Sequence, residues 1–198
     1  MSILLFNRWD TSQVKIDDMG LAGYINIKPV VVPRSAGKYA TMPFHKNDMS
    51  IVERLINKLY VAGHRGKKHK ISSGDNVGKS VNLYNEMKEA LEIVEKKTNQ
   101  NPVQVLVTGI VNAAILEEVA SYRLGGIIAR QAVVVSPQRR LDLALRYMSQ
   151  GIYRSAFKNK RKLSSIIAEE IIAAYSNDPK SFAISERKRI EKEAEGAR

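Results

Sequence analysis

Two arginines in the second half of the chain have the spacing needed to present charge on one face of a β-ribbon. Arg123 and Arg130 lie on either side of Gly125-Gly126, a pair that suits the positive φ angles of a two-residue hairpin turn. With such a turn, Ser121 faces Arg130 and Arg123 faces Ile128. Side chains alternate along a strand and cross-strand partners share a face, so both arginines lie on the same face. Cations fixed in this way can pair with phosphate.

A helix is predicted directly after this ribbon. Ser136-Pro137 supplies an N-cap residue and a proline at the first helical position, and the helix continues to about Ala156. One apolar stripe runs along it at helical spacing. The stripe consists of Leu141, Leu145, Met148 and Ile152, and the opposite edge carries Arg139, Arg146, Gln150 and Arg154.

The basic charge continues beyond this helix into the following loop. Between positions 139 and 162 the only acid is Asp142. The basic residues there are Arg139, Arg140, Arg146, Arg154, Lys158, Lys160, Arg161 and Lys162. A solvated surface without a partner is the ordinary explanation of one charge run. Here the ribbon, the helix and the loop agree in sign, which favours a polyanionic partner such as nucleic acid.

Two earlier segments add candidate phosphate contacts. The later part of the N-terminal segment carries Arg34, Lys38 and Lys46, and a polar loop after position 63 carries Arg65, Lys67, Lys68 and Lys70. Glycines in that loop suit contacts between the backbone and phosphate. A disordered, merely solvated loop is the alternative.

Overall composition agrees with a polyanion-binding protein. The 198 residues include 32 Lys and Arg against 20 Asp and Glu, a net charge of +12, and no cysteine. Such an excess of positive charge attracts nucleic acid or an anionic surface. The longest apolar stretch, residues 103–116, is interrupted by polar residues and is shorter than the roughly 20 residues that a membrane span needs. With no secretory signal at its start, the chain is expected in the cytoplasm, without a membrane partner.

Catalytic, metal and cofactor sites are not expected. Without cysteine or an H-E-x-x-H helix, the three histidines give no support to a zinc site. Residues 74–80 resemble a nucleotide-binding loop, but the spacing between the glycines is one residue short and no apolar strand precedes it. Adjacent acids such as Glu117-Glu118 point to different faces of an element. The sequence therefore predicts a protein that is not an enzyme.

The fold class predicted is mostly α, with about six helices in a compact core, one protruding β-hairpin arm and an extended N-terminal arm. Residues 1–47 form the arm, because prolines and glycines interrupt them and no helical period is sustained. Trp9 is expected to anchor this arm, either to the domain or to a partner. Residues 48–198 form the helical domain, with Asp48 capping its first helix, Ser164 capping a later one and the hairpin at about 117–135.

Several long blocks resemble one known family. Residues 95–107 resemble the junction between the second and third helices of the universal small-subunit ribosomal protein number seven, and residues 136–147 and the Gly-Gly hairpin resemble later parts of it. The blocks 51–59, 66–68 and 181–184 continue the resemblance. Residues 7–10 and 33–40 are similar to the archaeal and eukaryotic branch, and the chain's size favours the archaeal side.

The resemblance implies a structural protein of the small ribosomal subunit. The family binds the 3′ major domain of rRNA and nucleates assembly of the subunit head. Its hairpin lies near exit-site tRNA and the mRNA path, and the eleventh small-subunit protein is among its neighbours. Carried over by position, the basic loop, ribbon and helix start are matched by Lys67, Lys68, Arg123, Arg130, Arg139 and Arg140.

This sequence departs from the family pattern near the ribbon. Ile115 and Leu116 replace a usual Pro-Arg, and Ile128 and Gln131 stand where arginine is frequent. The tip of the ribbon is therefore less basic than in the family pattern, so the sequence supports the contact between core and rRNA better than the contact between ribbon and tRNA. A DNA-binding architectural protein that inserts its ribbon into a groove is the main alternative. An enzyme acting on RNA is a third and lacks a visible site.

Overall fold

The computed structural model describes residues 3–60 and 78–198, which fold as predicted into a mostly helical body with one hairpin. The described residues contain seven α-helices, two short 3-10 helices and two strands. In chain order these are α1 (Met19–Ala22), the 3-10 helices Lys38–Ala40 and His45–Asp48, α2 (Ile51–Leu59), α3 (Ser80–Thr98), α4 (Pro102–Ala113), β1 (Glu117–Leu124), β2 (Ile127–Val134), α5 (Pro137–Ala156), α6 (Leu163–Tyr175) and α7 (Phe182–Glu195).

Helix α6 lies at the centre of the body, where α3, α4 and α5 pack around it. Its sequence is apolar on most sides, which is typical of a helix surrounded by others. A glycine lets α4 approach closely, because a Cβ at Gly109 would lie 3.3 Å from the Cβ of Ala174 and from the Tyr175 nitrogen. The predicted stripe of α5 faces this core. Leu141, Leu145, Met148 and Ile152 are fully buried.

Some predicted helix starts are confirmed and others are wrong. Pro137 and Pro102 begin α5 and α4 as expected, and the Asn101 side chain accepts a hydrogen bond from the Val103 N–H. Helix α2 begins after Ser50 rather than Asp48. The backbone carbonyl of Asp48 instead accepts a hydrogen bond from the Asn26 amide, which ties this turn to the N-terminal segment.

Helix α6 begins two residues earlier than expected. Its N-cap is Lys162, and Ser164 lies inside the first turn. The Ser164 N–H donates to Glu86 Oε2 on α3 at 2.7 Å. A carboxylate from a neighbouring helix therefore satisfies a free N–H of this helix start, a role that a local cap would otherwise fill.

The hairpin has the predicted two-residue turn. Gly125 and Gly126 have φ angles of 53° and 90°, the left-handed region that such a turn requires. The register pairs Ser121 with Arg130 and Arg123 with Ile128, which confirms that the two arginines share a face. The ribbon is held at its base, where α7 packs on β1.

The N-terminal segment packs on the body of the same chain. Leu5, Phe6, Trp9, Leu21 and Ile25 are buried in the hydrophobic core shared with the helices. Trp9 therefore anchors the segment to the domain of its own chain. Its side chain is 4% exposed and packs edge-on against Phe6. The four-residue helix α1, which was not predicted from the sequence, follows the N-cap residue Asp18, whose carboxylate accepts a hydrogen bond from the Gly20 N–H.

Candidate RNA interface

The two ribbon arginines are exposed. Within the described residues, neither Arg123 nor Arg130 has an ion-pair partner, so both guanidinium groups can bind an external anion. Arg130 lines a surface cavity together with Lys192 and Arg198 from the end of the chain. Lys192 was missed from the sequence, because α7 reads as a mixed-charge helix. Only its packing on the ribbon brings this lysine beside Arg130.

The exposed edge of α5 extends the positive surface. Arg146 and Arg154 are exposed, as the helical spacing predicted, and the Arg154 guanidinium lies 5.7 Å from the centroid of the Phe182 ring. Arg139 is also exposed but forms a two-bond ion pair with Glu118 on β1, at 2.7 and 2.8 Å. This pair raises the pKa of Arg139 and ties the ribbon to the start of α5.

Arg140 lies in the interior, away from the surface on which we expected it. Its Nε donates to the Ile115 carbonyl at 3.2 Å, and its Nη2 donates to Asp18 Oδ2 at 2.6 Å. Burial opposes ionisation of Asp18, but the hydrogen bonds from Arg140 and Gly20 lower its pKa. Arg140 therefore joins α5 to the N-terminal segment. Because Arg140 is buried and its guanidinium already bonds to Ile115 and Asp18, it is not available to phosphate at the surface.

Asp142 organises a second cluster of cations. It pairs with Lys46 from the N-terminal segment and with the buried Arg54 of α2, whose Nη2 lies 3.0 Å from Oδ1. Burial works against ionisation of Asp142, yet Lys46 and Arg54 lower its pKa. One carboxylate is thus shared between several cations, so the cluster keeps a net positive charge.

Lys58 belongs to the same cluster, a role that was not predicted from its position in the sequence. Burial lowers the pKa of Lys58, and repulsion from Arg146, Lys46 and Arg54 lowers it further against the attraction of Asp142. Three like charges therefore act on Lys58 against one carboxylate. Partial evidence for this position was present in the sequence, because helical spacing places Lys58 off the apolar face of α2.

The remaining predicted cations fall into three groups. Arg34, Lys38, Lys158 and Lys160 are exposed, and no acid in the described part of the chain pairs with them. Arg161 pairs with Glu169, and Lys162 lies 3.3 Å from Glu89; both pairs are exposed and therefore weak. Arg65, Lys67, Lys68 and Lys70 lie outside the described residues.

The arrangement suits electrostatic binding. Three or more His, Cys, Asp or Glu side chains that could hold a metal ion do not come together anywhere in residues 3–60 and 78–198. Over the same residues, no helix combines the length and apolar character of a membrane span. Cations are instead held on regular secondary structure by the ribbon, the exposed edge of α5 and the Asp142 cluster.

Comparison with known proteins agrees with the resemblance described above. The model of the family described as "Ribosomal protein S7p/S5e" matches residues 22–198. The chain is 44% identical to a protein of Archaeoglobus fulgidus over 99% of its own length and 95% of the relative's. It is 44% identical to a protein of Nanoarchaeum equitans and 40% identical to one of Methanosphaera stadtmanae, over the full length of both. All three relatives are named "Small ribosomal subunit protein uS7". This chain belongs to the ribosomal protein S7p/S5e family.

Proposed function

We propose that the chain is a structural constituent of the small ribosomal subunit and a primary binder of its rRNA. The target is the 3′ major domain, whose folding around the protein nucleates assembly of the subunit head. The observation that supports this most directly is full-length similarity to archaeal proteins named for the small subunit. Membership in this family also agrees with the prediction of a non-enzymatic protein.

The proposed binding is driven by charge. Arg123 and Arg130 on the ribbon and Arg146 and Arg154 on α5 neutralise phosphates, and release of the counterions supplies affinity. Structured RNA is recognised mainly by shape, backbone and 2′-hydroxyl groups, so few contacts to base edges are expected. Because the cations sit on rigid elements, they hold the RNA helices in one geometry.

Further partners follow from the same proposal. The helical domain, residues 48–198, carries the rRNA surface, and the arm, residues 1–47, extends it. In the assembled subunit the ribbon lies near exit-site tRNA and the mRNA path, beside the eleventh small-subunit protein and other head proteins, in the cytoplasm. The exposed Ile127 and Ile128 make the tip of the ribbon less basic than in the family pattern, so we expect the ribbon's phosphate contacts to come from the face that carries Arg123 and Arg130.

A pair of charge-reversal variants tests the rRNA contact. Arg123→Glu with Arg130→Glu changes the ribbon, and Lys96→Glu with Lys97→Glu makes the same change of net charge on exposed residues of α3. Both variants are titrated against a transcript of the head domain of small-subunit rRNA at several salt concentrations. Each lost phosphate contact lowers the salt slope by about one, so the ribbon variant should lose about two and the α3 variant little.

Two results would contradict the proposal. Equal effects of the two variants would mean that only net charge matters and that the ribbon makes no contact. Comparable affinity of the wild-type protein for duplex DNA of the same length would favour the architectural DNA-binding alternative. Co-sedimentation with small subunits provides an independent check of the assembled state.

A further inference from the structure

A groove between the N-terminal segment and α2 combines aromatic side chains with cations. Its volume is about 690 Å³, which lies within the range of about 300–1,000 Å³ that is usual for ligand sites. Tyr39, Phe44 and Tyr60 line it together with Arg34 and Lys46. The Phe44 ring is 68% exposed. A large aromatic ring open to solvent in a concave site indicates a ligand surface.

The backbone around this groove is held in an uncommon conformation. Ala36 and Phe44 have φ angles of 50° and 66°, which are unfavourable for residues with a side chain. Such strain persists only where surrounding contacts fix it, and it is frequent at binding sites. The fixing contacts are visible: the Ser35 N–H and hydroxyl both donate to Oε1 of the buried Glu53 at 2.6 Å. Lys46 is tied to Asp142 on α5. The groove is therefore preformed.

Charge indicates what the groove accepts. Among the described residues, Glu53 is the only acid that lines the groove, and its Oε1 already accepts two hydrogen bonds from Ser35. Arg34 has no acidic partner among the described residues, and the neighbouring Lys38 places its ammonium 5.7 Å from the Tyr39 ring centroid. Aromatic faces for stacking beside cations for phosphate are the combination that binds unpaired nucleotides.

We infer that this groove binds one or two unpaired nucleotides of RNA, with a base stacked on the Phe44 ring and the adjoining phosphate near Arg34. The inference rests on the proposed function, because it specifies which feature of the RNA this part of the protein recognises. It adds a contact that depends on stacking to a surface otherwise dominated by charge. Folded rRNA presents such unpaired bases in its bulges and loops.

Two substitutions at one position test the stacking contact. Phe44→Leu keeps an apolar side chain but removes the ring, and Phe44→Trp keeps a ring. Both retain a Cβ, so the backbone strain is the same in each. Met19→Ala serves as the control, because Met19 is 92% exposed and lies in α1, outside the groove. The full-length proteins are titrated against the head-domain transcript at several salt concentrations.

Loss of one stacked base is expected to weaken binding by about 5- to 100-fold in Phe44→Leu. The salt slope should stay unchanged, because no charge is altered, and Phe44→Trp should bind within about twofold of wild type. Ultraviolet cross-linking followed by peptide mass spectrometry should join RNA to the peptide that contains Phe44.

The outcomes separate this inference from the function on which it rests. If the wild-type protein fails to bind the transcript, the proposed function falls and the inference with it. If the wild type binds but Phe44→Leu binds equally well, only the inference is overturned, and a polypeptide becomes the occupant to seek. An equal loss in Met19→Ala would likewise overturn it, because that loss would not depend on the groove.

Discussion

Removing the charge of Asp142 should destabilise the protein substantially. Arg54 is 4% exposed, and its guanidinium has two acceptors, Asp142 Oδ1 at 3.0 Å and the Tyr24 carbonyl at 3.0 Å. Asp142→Asn keeps the shape of the side chain but leaves a buried cation without its counter-charge. Breaking a buried pair costs about 3–5 kcal/mol. Asp142 is 22% exposed and asparagine can still accept one hydrogen bond, so we expect a loss of about 2–3 kcal/mol.

Urea denaturation followed by circular dichroism measures this loss. In thermal denaturation it corresponds to a fall of about 4–12 °C in Tm, since each kcal/mol shifts the midpoint by about 2–4 °C at this size. Asp17→Asn is the matched control, because Asp17 is exposed and has no hydrogen-bond or ion-pair partner in the described part of the chain. A loss in Asp142→Asn no larger than in Asp17→Asn would refute the reasoning.

The pH dependence of the stability difference between wild type and Asp142→Asn provides a second test. The pKa of Asp142 is lowered from 3.8, so its ionised form stabilises the folded state at every pH above that value. The contribution disappears only as the pH falls through the lowered pKa. The gap between wild type and Asp142→Asn should therefore stay constant from pH 7 to about pH 4 and close below it. A stability difference that closed near pH 6 would show that a titratable group other than Asp142 is responsible.

Three further changes test other contacts by the same denaturation assay. Gly151→Ala should cost about 1–3 kcal/mol, because its Cβ would lie 2.7 Å from the Phe182 Cβ; wild-type stability would contradict the close approach. Burial raises the pKa of Glu170 above 4.5, so stability should fall as the pH rises from 4.5 to the raised value. Glu170→Gln should remove that slope, and an unchanged slope would contradict it. Arg140→Met should cost about 3 kcal/mol by leaving Asp18 unpaired, without altering the salt slope of rRNA binding; a lower slope would show that Arg140 contacts RNA after all.

The ribbon and the starts of α4 and α5 could be predicted because local chemistry decides them. Two glycines allow the left-handed turn, and once the turn is two residues long the whole register follows, including the shared face of Arg123 and Arg130. Ser136-Pro137 likewise restricts the chain to one helix start. The family resemblance drawn from the longer blocks was confirmed by the full-length relatives.

The role of Arg140 could not be read from charge alone. Its neighbour Arg139 points to the surface and Arg140 to the interior, and both look equally basic in the sequence. Helical spacing held a partial signal, because Arg140 shares a face with Ala144 and Met148, which are buried. Its partner Asp18 lies 122 positions away, so only the tertiary fold reveals the pair. The same limit applies to Lys46, which pairs with Asp142 across 96 positions.

The strained groove was also beyond the sequence. Nothing in the residue types around Phe44 predicts that this side chain is largely exposed. Phe44 lies between Ser35, which is bound to Glu53, and Lys46, which is paired with Asp142. These two contacts hold the segment in the conformation that exposes the ring and gives Phe44 its positive φ angle. Residue types alone indicate neither, because the same side chain could equally have been buried like Phe6.

The ties between the N-terminal segment and α5 have a consequence for the order of folding during translation. Residues 5–25 are synthesised before α5, but Asp18 and Lys46 can pair with Arg140 and Asp142 only after α5 has been made. Contacts that span so much chain are slow to form, because the intervening loop must close first. The ties of the N-terminal segment to α5 are therefore expected to form later than its contacts with α3, such as the packing of Phe6 on Tyr84.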